Sequence, residues 1–309
     1  MTGTALRAAV LWGTELAVVR GLVTRSSLGR RVAHRFVAGE RLEDGISAAH
    51  ALGRRGIAAM LDHLGENVTS EAQASAAADG YVLALKLIHE TEGLHCNIAI
   101  KLTQLGLDQS IDLCLENTER VLAAAEPAGI LVMVDMESNE YVDPTLEVLR
   151  RLRARHQGIG VAIQSALRRT ADDVFALPDG APIRLVKGAY LESPSVAYPS
   201  RADVDRAFAR LFATLTSRGH PVHVATHDPR LLAGAVRFTE RRGLPIERIE
   251  LQMLLGIRED LQRDYAGRGY PVRAYVPYGA EWYPYLTRRL AERPANVWFF
   301  VSNLVRRRG

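Results

Sequence analysis

With 309 residues, 48% hydrophobic and 24% charged, the chain has an ordinary globular composition and room for two average domains or one large α/β barrel. Its net charge of +4 is spread over arginines interleaved with Asp and Glu, which argues against the concentrated basic face of a nucleic-acid binder; the dense cluster Arg306, Arg307 and Arg308 reads as a solvated tail. Two cysteines, Cys96 and Cys114, lack metal-ligand spacing and read as buried free thiols of a reducing cytoplasm, and no stretch approaches the roughly 18 apolar residues of a membrane span.

Residues 1–55 are expected to form an N-terminal helical extension. Leu6, Ala9, Val10, Gly13, Leu16 and Ala17 recur close to helical spacing, and Arg7, Glu15 and Arg20 interrupt any signal-peptide core. From residue 57 short apolar runs alternate with helical segments. Eight runs of strand length stand out: Ile57–His63, Asn97–Leu102, Leu131–Met136, Val161–Gln164, Ile183–Val186, Val222–Thr226, Ile249–Leu254 and Val272–Val276. Amphipathic stretches such as Ser110–Ala125, Pro144–His156 and Val204–Arg218 lie between most of them. Near-continuous apolar strands separated by helices indicate a parallel sheet covered on both faces. Eight such units favour an α/β fold of the closed (β/α)₈ TIM-barrel type over residues 56–309.

In such barrels the active site lies at the C-terminal ends of the strands. Those ends carry Asp62-His63, Lys101 with Thr103, Asp135 with Glu137, Gln164, Arg184 with Lys187-Gly188-Ala189-Tyr190, Thr226-His227-Asp228, Gln252, and Tyr275 with Tyr278. One polar strand end means little, since every strand must exit to water. Buried charges without partners are costly, so polar groups at all eight ends point to one shared pocket. Only three of the 39 basic residues are lysines, and two of these, Lys101 and Lys187, sit at strand ends. The final helical stretch, Glu281–Arg293, places Tyr285, Arg288 or Arg289, and Glu292 on one face. It reads either as a solvated salt-bridge ladder or as a lid whose guanidiniums clamp a carboxylate or phosphate. There is no G-x-G-x-x-G, Walker loop, H-E-x-x-H or G-x-S-x-G, and the nine histidines show no metal-ligand pairing.

Several strings resemble the proline dehydrogenase family: Arg184-Leu-Val-Lys-Gly-Ala-Tyr190-Leu-Glu192, Ile100-Lys101-Leu-Thr-Gln-Leu-Gly106, Ala225-Thr-His-Asp228, Gln252-Met-Leu-Leu-Gly256, and Arg273-Ala-Tyr-Val-Pro-Tyr-Gly279 running on through Arg288-Arg289 to Asn296. The resemblance covers about residues 55 to 300 and is that of the monofunctional bacterial form. It implies a distorted barrel holding FAD, oxidation of L-proline to 1-pyrroline-5-carboxylate, and a membrane quinone as electron acceptor. It further implies a cytoplasmic protein with peripheral contact at the inner face of the cell membrane, and a downstream 1-pyrroline-5-carboxylate dehydrogenase. By the same resemblance, Arg288, Arg289 and Lys101 grip the proline carboxylate, and Leu254, Tyr275 and Tyr285 enclose its ring. Asp135 is the carboxylate near the amine, and Glu292 holds the clamp arginines and the cofactor. Asp135, Met136, Gln164, Arg184, Val186, Lys187, Gly188, Ala189, Thr226, His227, Asp228, Gln252, Arg289 and Glu292 form the FAD shell, with Arg184 near the flavin N5. Two positions depart from the common pattern: Asp228 stands where Asn is usual, and Gln164-Ser-Ala-Leu replaces Gln-Ala-Tyr-Leu. Tyr275 favours proline over hydroxyproline, whose oxidisers carry a smaller residue there.

Two other readings fit the residues alone. One is a Schiff-base aldolase using Lys101 or Lys187 on the same barrel. The other is a barrel without catalysis that binds a ligand.

Overall fold

A computed structural model of the chain describes residues 35–292, with side chains through Thr287. Helix α1 (Leu42–Gly53) precedes strand β1 (Ala58–His63). There follow α2 (Glu71–Glu90), β2 (Cys96–Ile100), α3 (Ile111–Ala125), β3 (Val132–Val134), α4 (Val142–Arg153), β4 (Ile159–Gln164) and α5 (Thr170–Asp173). The second half comprises β5 (Ile183–Val186), α6 (Arg201–Ser217), β6 (Val222–Ala225), α7 (Pro229–Arg241), β7 (Ile249–Leu254), α8 (Glu259–Gly267), β8 (Val272–Tyr278) and α9 (Trp282–Glu292). The strands pair in chain order, all parallel, and β8 returns to β1 to close a (β/α)₈ barrel.

Each apolar run found in the sequence becomes a strand because both of its faces are covered. Strand β4, buried at every position, faces the barrel interior with one side and the helices with the other. The helices begin where capping chemistry predicts. Ser70, Ser110 and Ser200 each accept a hydrogen bond from the backbone N–H of the third residue after them, and Asp228 accepts from Arg230 N just before Pro229. The unit after β4 departs from the others. Its helix is a single turn, and a few residues on the chain turns through Pro178-Asp179-Gly180, with Gly180 at φ +66°. The main core lies between the strands and the helical ring, and includes both cysteines, whose thiols burial pushes up to about 12.

The barrel interior is different. Met60, Ala99 and Met133 form a small apolar layer there. Arg184 Nη1 on β5 reaches across to Met60 Sδ on β1 at 3.2 Å, which shows that both side chains point inward. Helix α9 packs through Trp282, Tyr283, Tyr285 and Leu286 against Val37 and Leu64, the residue just beyond β1, so it lies at the C-terminal mouth of the barrel. Of the expected N-terminal helices, Leu42–Gly53 is helical and packs on β1 and β8; residues 1–34 lie outside the described residues, as does the Arg306–Arg308 tail. Among the described residues no helix is long and apolar enough to cross a membrane.

Candidate active site

Five strands bring a charged centre together at the C-terminal mouth. Asp62 from β1 is 1% exposed and lies 2.6 Å from the Lys101 Nζ, just beyond β2. The same ammonium is 3.7 Å from Asp135 Oδ2, past the end of β3. Asp135 Oδ1 forms an ion pair with Arg184 Nη2 from β5, and Asp135 Oδ2 accepts a 2.6 Å hydrogen bond from the Tyr275 hydroxyl of β8. The Arg184 guanidinium also sits 5.2 Å from the Tyr275 ring centroid. Two cations and two carboxylates thus alternate around one phenol, an arrangement that keeps buried charge paired. Burial, reinforced by the Asp62 charge, raises the Tyr275 phenol well above its usual range, so it remains a donor. Leu254 is the register partner of Tyr275, and its backbone N–H donates to His227 Nε2 at 3.0 Å; the Tyr285 side chain is buried beside Leu64.

A second group lines the side formed by β4 to β6. Gln164 Nε2 donates to the Glu137 carbonyl at 2.7 Å. Gly188 adopts φ +115°, and a Cβ there would lie 2.8 Å from Gln164 Oε1, so the position requires bare backbone. Lys187 Nζ pairs with Asp205 at 2.5 Å and with Asp228 at 3.4 Å, and Arg230 reaches both of those carboxylates. The hydrogen bonds from Arg230 and the Lys187 charge hold the Asp228 carboxyl well below the usual range despite its partial burial. This accounts for the unusual Asp228: its charge is matched by an arginine two residues along the chain, and its side chain still caps α7.

A third polar group lies deeper. Arg273 Nε pairs with Glu250 at 2.8 Å, and Gln252 Nε2 contacts both Glu250 Oε1 at 2.7 Å and His223 Nδ1 at 3.0 Å. Burial lowers His223 to about 4, so its 3.8 Å approach to Glu250 is a contact of a neutral ring rather than an ion pair at neutral pH.

Lys101, Asp135, Arg184, Tyr275 and Leu254 therefore gather at one centre, while Gln164, Lys187, Gly188, Asp228 and Gln252 lie along one side of the barrel. Met136 is buried, as is Thr226, whose hydroxyl accepts from Asp228 N; Val186 ends β5, with Ala189 just beyond. Positions 288, 289 and 292 belong to helix α9, but the side chains of Arg288, Arg289 and Glu292 lie outside the described residues. The sequence places Asp62 and Glu137 at strand ends facing the pocket but assigns them no particular partner, and it does not pair Glu250 with Arg273. Asp62 and Glu137 were visible as acidic residues closing apolar runs, and Glu250 as a carboxylate inside one. Glu137 is buried and accepts from both the backbone and the hydroxyl of Thr103, at 3.2 and 2.7 Å, which ties the segment carrying Lys101 to the end of β3.

The residues present fit a large planar cofactor such as a flavin. The bare backbone at Gly188 lets a flat ligand approach, Arg184 supplies a buried cation, and Gln252 Oε1 has no hydrogen-bond donor among the described residues. Fold and site together define a (β/α)₈ barrel with a charged pocket at the mouth where barrel enzymes carry out their chemistry. A family profile described as proline dehydrogenase matches residues 46–301. Proline dehydrogenase of Deinococcus radiodurans is 42% identical over 281 residues, covering 89% of this chain and 90% of that protein. Proline dehydrogenase 1 of Bacillus subtilis is 37% identical over 276 residues, covering 89% and 91%. Among solved structures, proline utilization A from Bdellovibrio bacteriovorus inactivated by N-propargylglycine superposes with a TM-score of 0.78 at 25% identity; the match covers 85% of this chain but only 33% of that longer one. The chain belongs to the proline dehydrogenase family and is an enzyme of that family.

Proposed function

We propose that the enzyme oxidises L-proline to 1-pyrroline-5-carboxylate with FAD as the hydride acceptor, and that a membrane quinone takes the electrons onward. The observation that carries this reading is the buried Lys101–Asp135–Arg184–Tyr275 centre at the barrel mouth, in a chain 42% identical to a named proline dehydrogenase. When bound, FAD supplies the two-electron acceptor for the hydride leaving proline C5.

The chain's own residues account for the rest. Asp135, Met136, Gln164, Arg184, Val186, Lys187, Gly188, Ala189, Thr226, His227, Asp228 and Gln252, with Arg289 and Glu292, would hold the cofactor. Arg288 and Arg289, aided by Lys101, would fix the substrate carboxylate, since paired guanidiniums bind it in a set orientation. Leu254, Tyr275 and Tyr285 would enclose the pyrrolidine ring. Both Asp135 oxygens are already engaged, one by Arg184 and one by Tyr275 and Lys101. Asp135 thus works as a hub that holds two cations and a phenol in place, and such preorganisation is what orients a bound substrate for transfer. The substrate amine must shed its proton before hydride can leave. The three cations at its carboxylate end disfavour the protonated amine.

The aldolase reading loses ground on geometry. Lys101 and Lys187 are each ion-paired to two carboxylates, whereas a Schiff-base nucleophile needs an unpaired, neutral amine. By the same proposal the enzyme works in the cytoplasm, touches the inner face of the membrane to reach its quinone, and hands its product to a 1-pyrroline-5-carboxylate dehydrogenase. Co-sedimentation with anionic liposomes at low salt tests the membrane contact. The decisive experiment is an anaerobic absorption spectrum before and after L-proline. A flavin band that bleaches with proline and not with hydroxyproline is expected. A flavin that stays oxidised would remove proline as the substrate, and a protein that takes up no flavin would return the reading to a ligand-binding barrel.

A further inference from the structure

Of the polar cluster deep in the barrel only Gln252 has a part in the chemistry above, yet Glu250, Arg273 and His223 are organised around it. Inward positions 250, 252 and 254 climb strand β7 toward the mouth, with Gln252 in register with Arg273 and Leu254 in register with Tyr275. Gln252 therefore sits between the Glu250–Arg273 layer below and the candidate substrate layer above. Arg273 is anchored twice, to Glu250 by Nε at 2.8 Å and to the Ala59 carbonyl of β1 by Nη1 at 2.7 Å.

The Gln252 amide nitrogen has two hydrogens, and both are committed. One goes to Glu250 Oε1 at 2.7 Å and the other to His223 Nδ1 at 3.0 Å. Although burial works against its charge, the Arg273 guanidinium and the hydrogen bonds from Arg273 and Gln252 help hold the Glu250 carboxyl down to about 2, so at neutral pH it can only accept. His223 is neutral, and in this amide orientation its Nδ1 accepts, which places its own proton on Nε2. Turning the amide over would set Gln252 Oε1 against a Glu250 carboxylate oxygen, and it is this contact that decides, since a neutral imidazole can move its proton to Nδ1 and suit either orientation. Only one of the two amide orientations is therefore allowed, and it leaves Oε1 as the atom available to a ligand. Gln252 is 3% exposed, so its amide is held almost wholly by the protein around it.

We propose that Glu250, braced by Arg273, is a positioning residue that fixes the Gln252 amide so that the cofactor pocket meets a hydrogen-bond acceptor, matched to the single ring N–H of an oxidised flavin. The inference rests on the flavin reading given above. An acceptor beside that N–H favours its protonated form, and a donor in its place favours the ring anion. The choice of amide orientation is therefore written into the pH at which the bound flavin loses its ring proton.

The test is a spectrophotometric pH titration of the bound, oxidised flavin in the full-length holoenzyme, with no turnover involved. In Glu250→Gln the amide is free to turn, and ionisation is expected to move down by about half to one pH unit, the 3- to 10-fold factor that one hydrogen bond is worth. Glu250→Asp, which keeps the anion, is expected to restore most of the shift. Gln252→Leu keeps the Glu250 charge but removes the acceptor, and should shift in the same direction. It also serves if Glu250→Gln does not fold. A Gln252→Leu holoenzyme that titrates like the wild type would overturn the proposal, as would a folded Glu250→Gln enzyme with an unmoved titration. A wild-type chain that takes up no flavin would overturn the functional reading itself, an outcome distinct from either of these.

Discussion

Asp62→Asn keeps the shape of a side chain that is 1% exposed and removes its charge 2.6 Å from the Lys101 ammonium. Lys101 is then left with Asp135 at 3.7 Å, a carboxylate already occupied by Arg184 and the Tyr275 hydroxyl. Two buried cations would share one anion. Breaking a buried ion pair from one side costs about 3–5 kcal/mol, most of it the penalty of the charge left behind. An unfolding entropy of about 2.1 cal/mol/K per residue makes each kcal/mol worth about 1.5 °C in a chain of this length, so the expected fall in Tm is about 5–8 °C. Thermal unfolding followed by circular dichroism at pH 7 measures it. Lys101→Met should cost a similar amount. The double variant should lose clearly less than the sum, because it no longer strands a charge. A Tm for Asp62→Asn within about 1 °C of the wild type, or strict additivity in the double variant, would refute the claim that Asp62 neutralises Lys101.

Gly188→Ala should weaken flavin retention and stability by about 1–3 kcal/mol, since φ +115° strains any other residue and the new Cβ would press on Gln164 Oε1; fluorescence of released flavin reports it. Asp228→Asn should change stability by less than about 1 kcal/mol in urea unfolding, because Asn caps α7 as well as Asp does, whereas Asp228→Ala should lose about 0.5–2 kcal/mol. Burial holds folded His223 at about 4 against about 6.5 when unfolded, so the unfolded chain binds the proton first. The His223 contribution is thus complete above pH 6.5 and is lost as pH falls toward 4, by an amount on the order of 3 kcal/mol, and His223→Asn should flatten the stability-against-pH curve in that window. By the proposed carboxylate clamp, replacing Arg288 or Arg289 by Met should raise the KM for proline sharply, by about 2–5 kcal/mol, the cost of truncating one partner of a charge pair, as steady-state kinetics would show.

The strands were legible because a strand covered on both faces leaves an unbroken apolar run. Ile183–Val186 and Ile249–Leu254 match the structure residue for residue. Ends were less legible where polar residues do structural work. The third run was expected to span Leu131–Met136 but pairs only over Val132–Val134, because beyond it the chain turns to present Asp135 to Arg184. The second strand was expected to run to Leu102 and stops at Ile100, where Lys101 leaves the ladder for Asp62. Single polar residues at strand ends located the pocket but not its pairings, since which carboxylate meets which cation depends on barrel closure. Asp62 shows this: it lies 39 residues before Lys101, and nothing local in the sequence joins them. The pairing of Glu250 with Arg273 is illegible in the sequence for a related reason. A charge within an apolar run reads as an interruption until register shows that it faces another charge on the next strand.

Closure of the ring by β1 and β8 also has a consequence for biosynthesis. The Arg273 side chain bonds to the carbonyl of Ala59 across 214 residues of chain, and at about 5–20 residues per second the first strand leaves the ribosome some 10–40 s before its final neighbour. Throughout that interval one border of β1 has no partner, and a nascent chain in a crowded polysome is surrounded by copies of itself. Strand β1 carries the inward-facing carboxylate Asp62 near its end, the kind of residue that makes an open border a poor template for a second chain. A ring closed only by its last strand thus leaves its first strand open on one side until nearly the whole chain has been made.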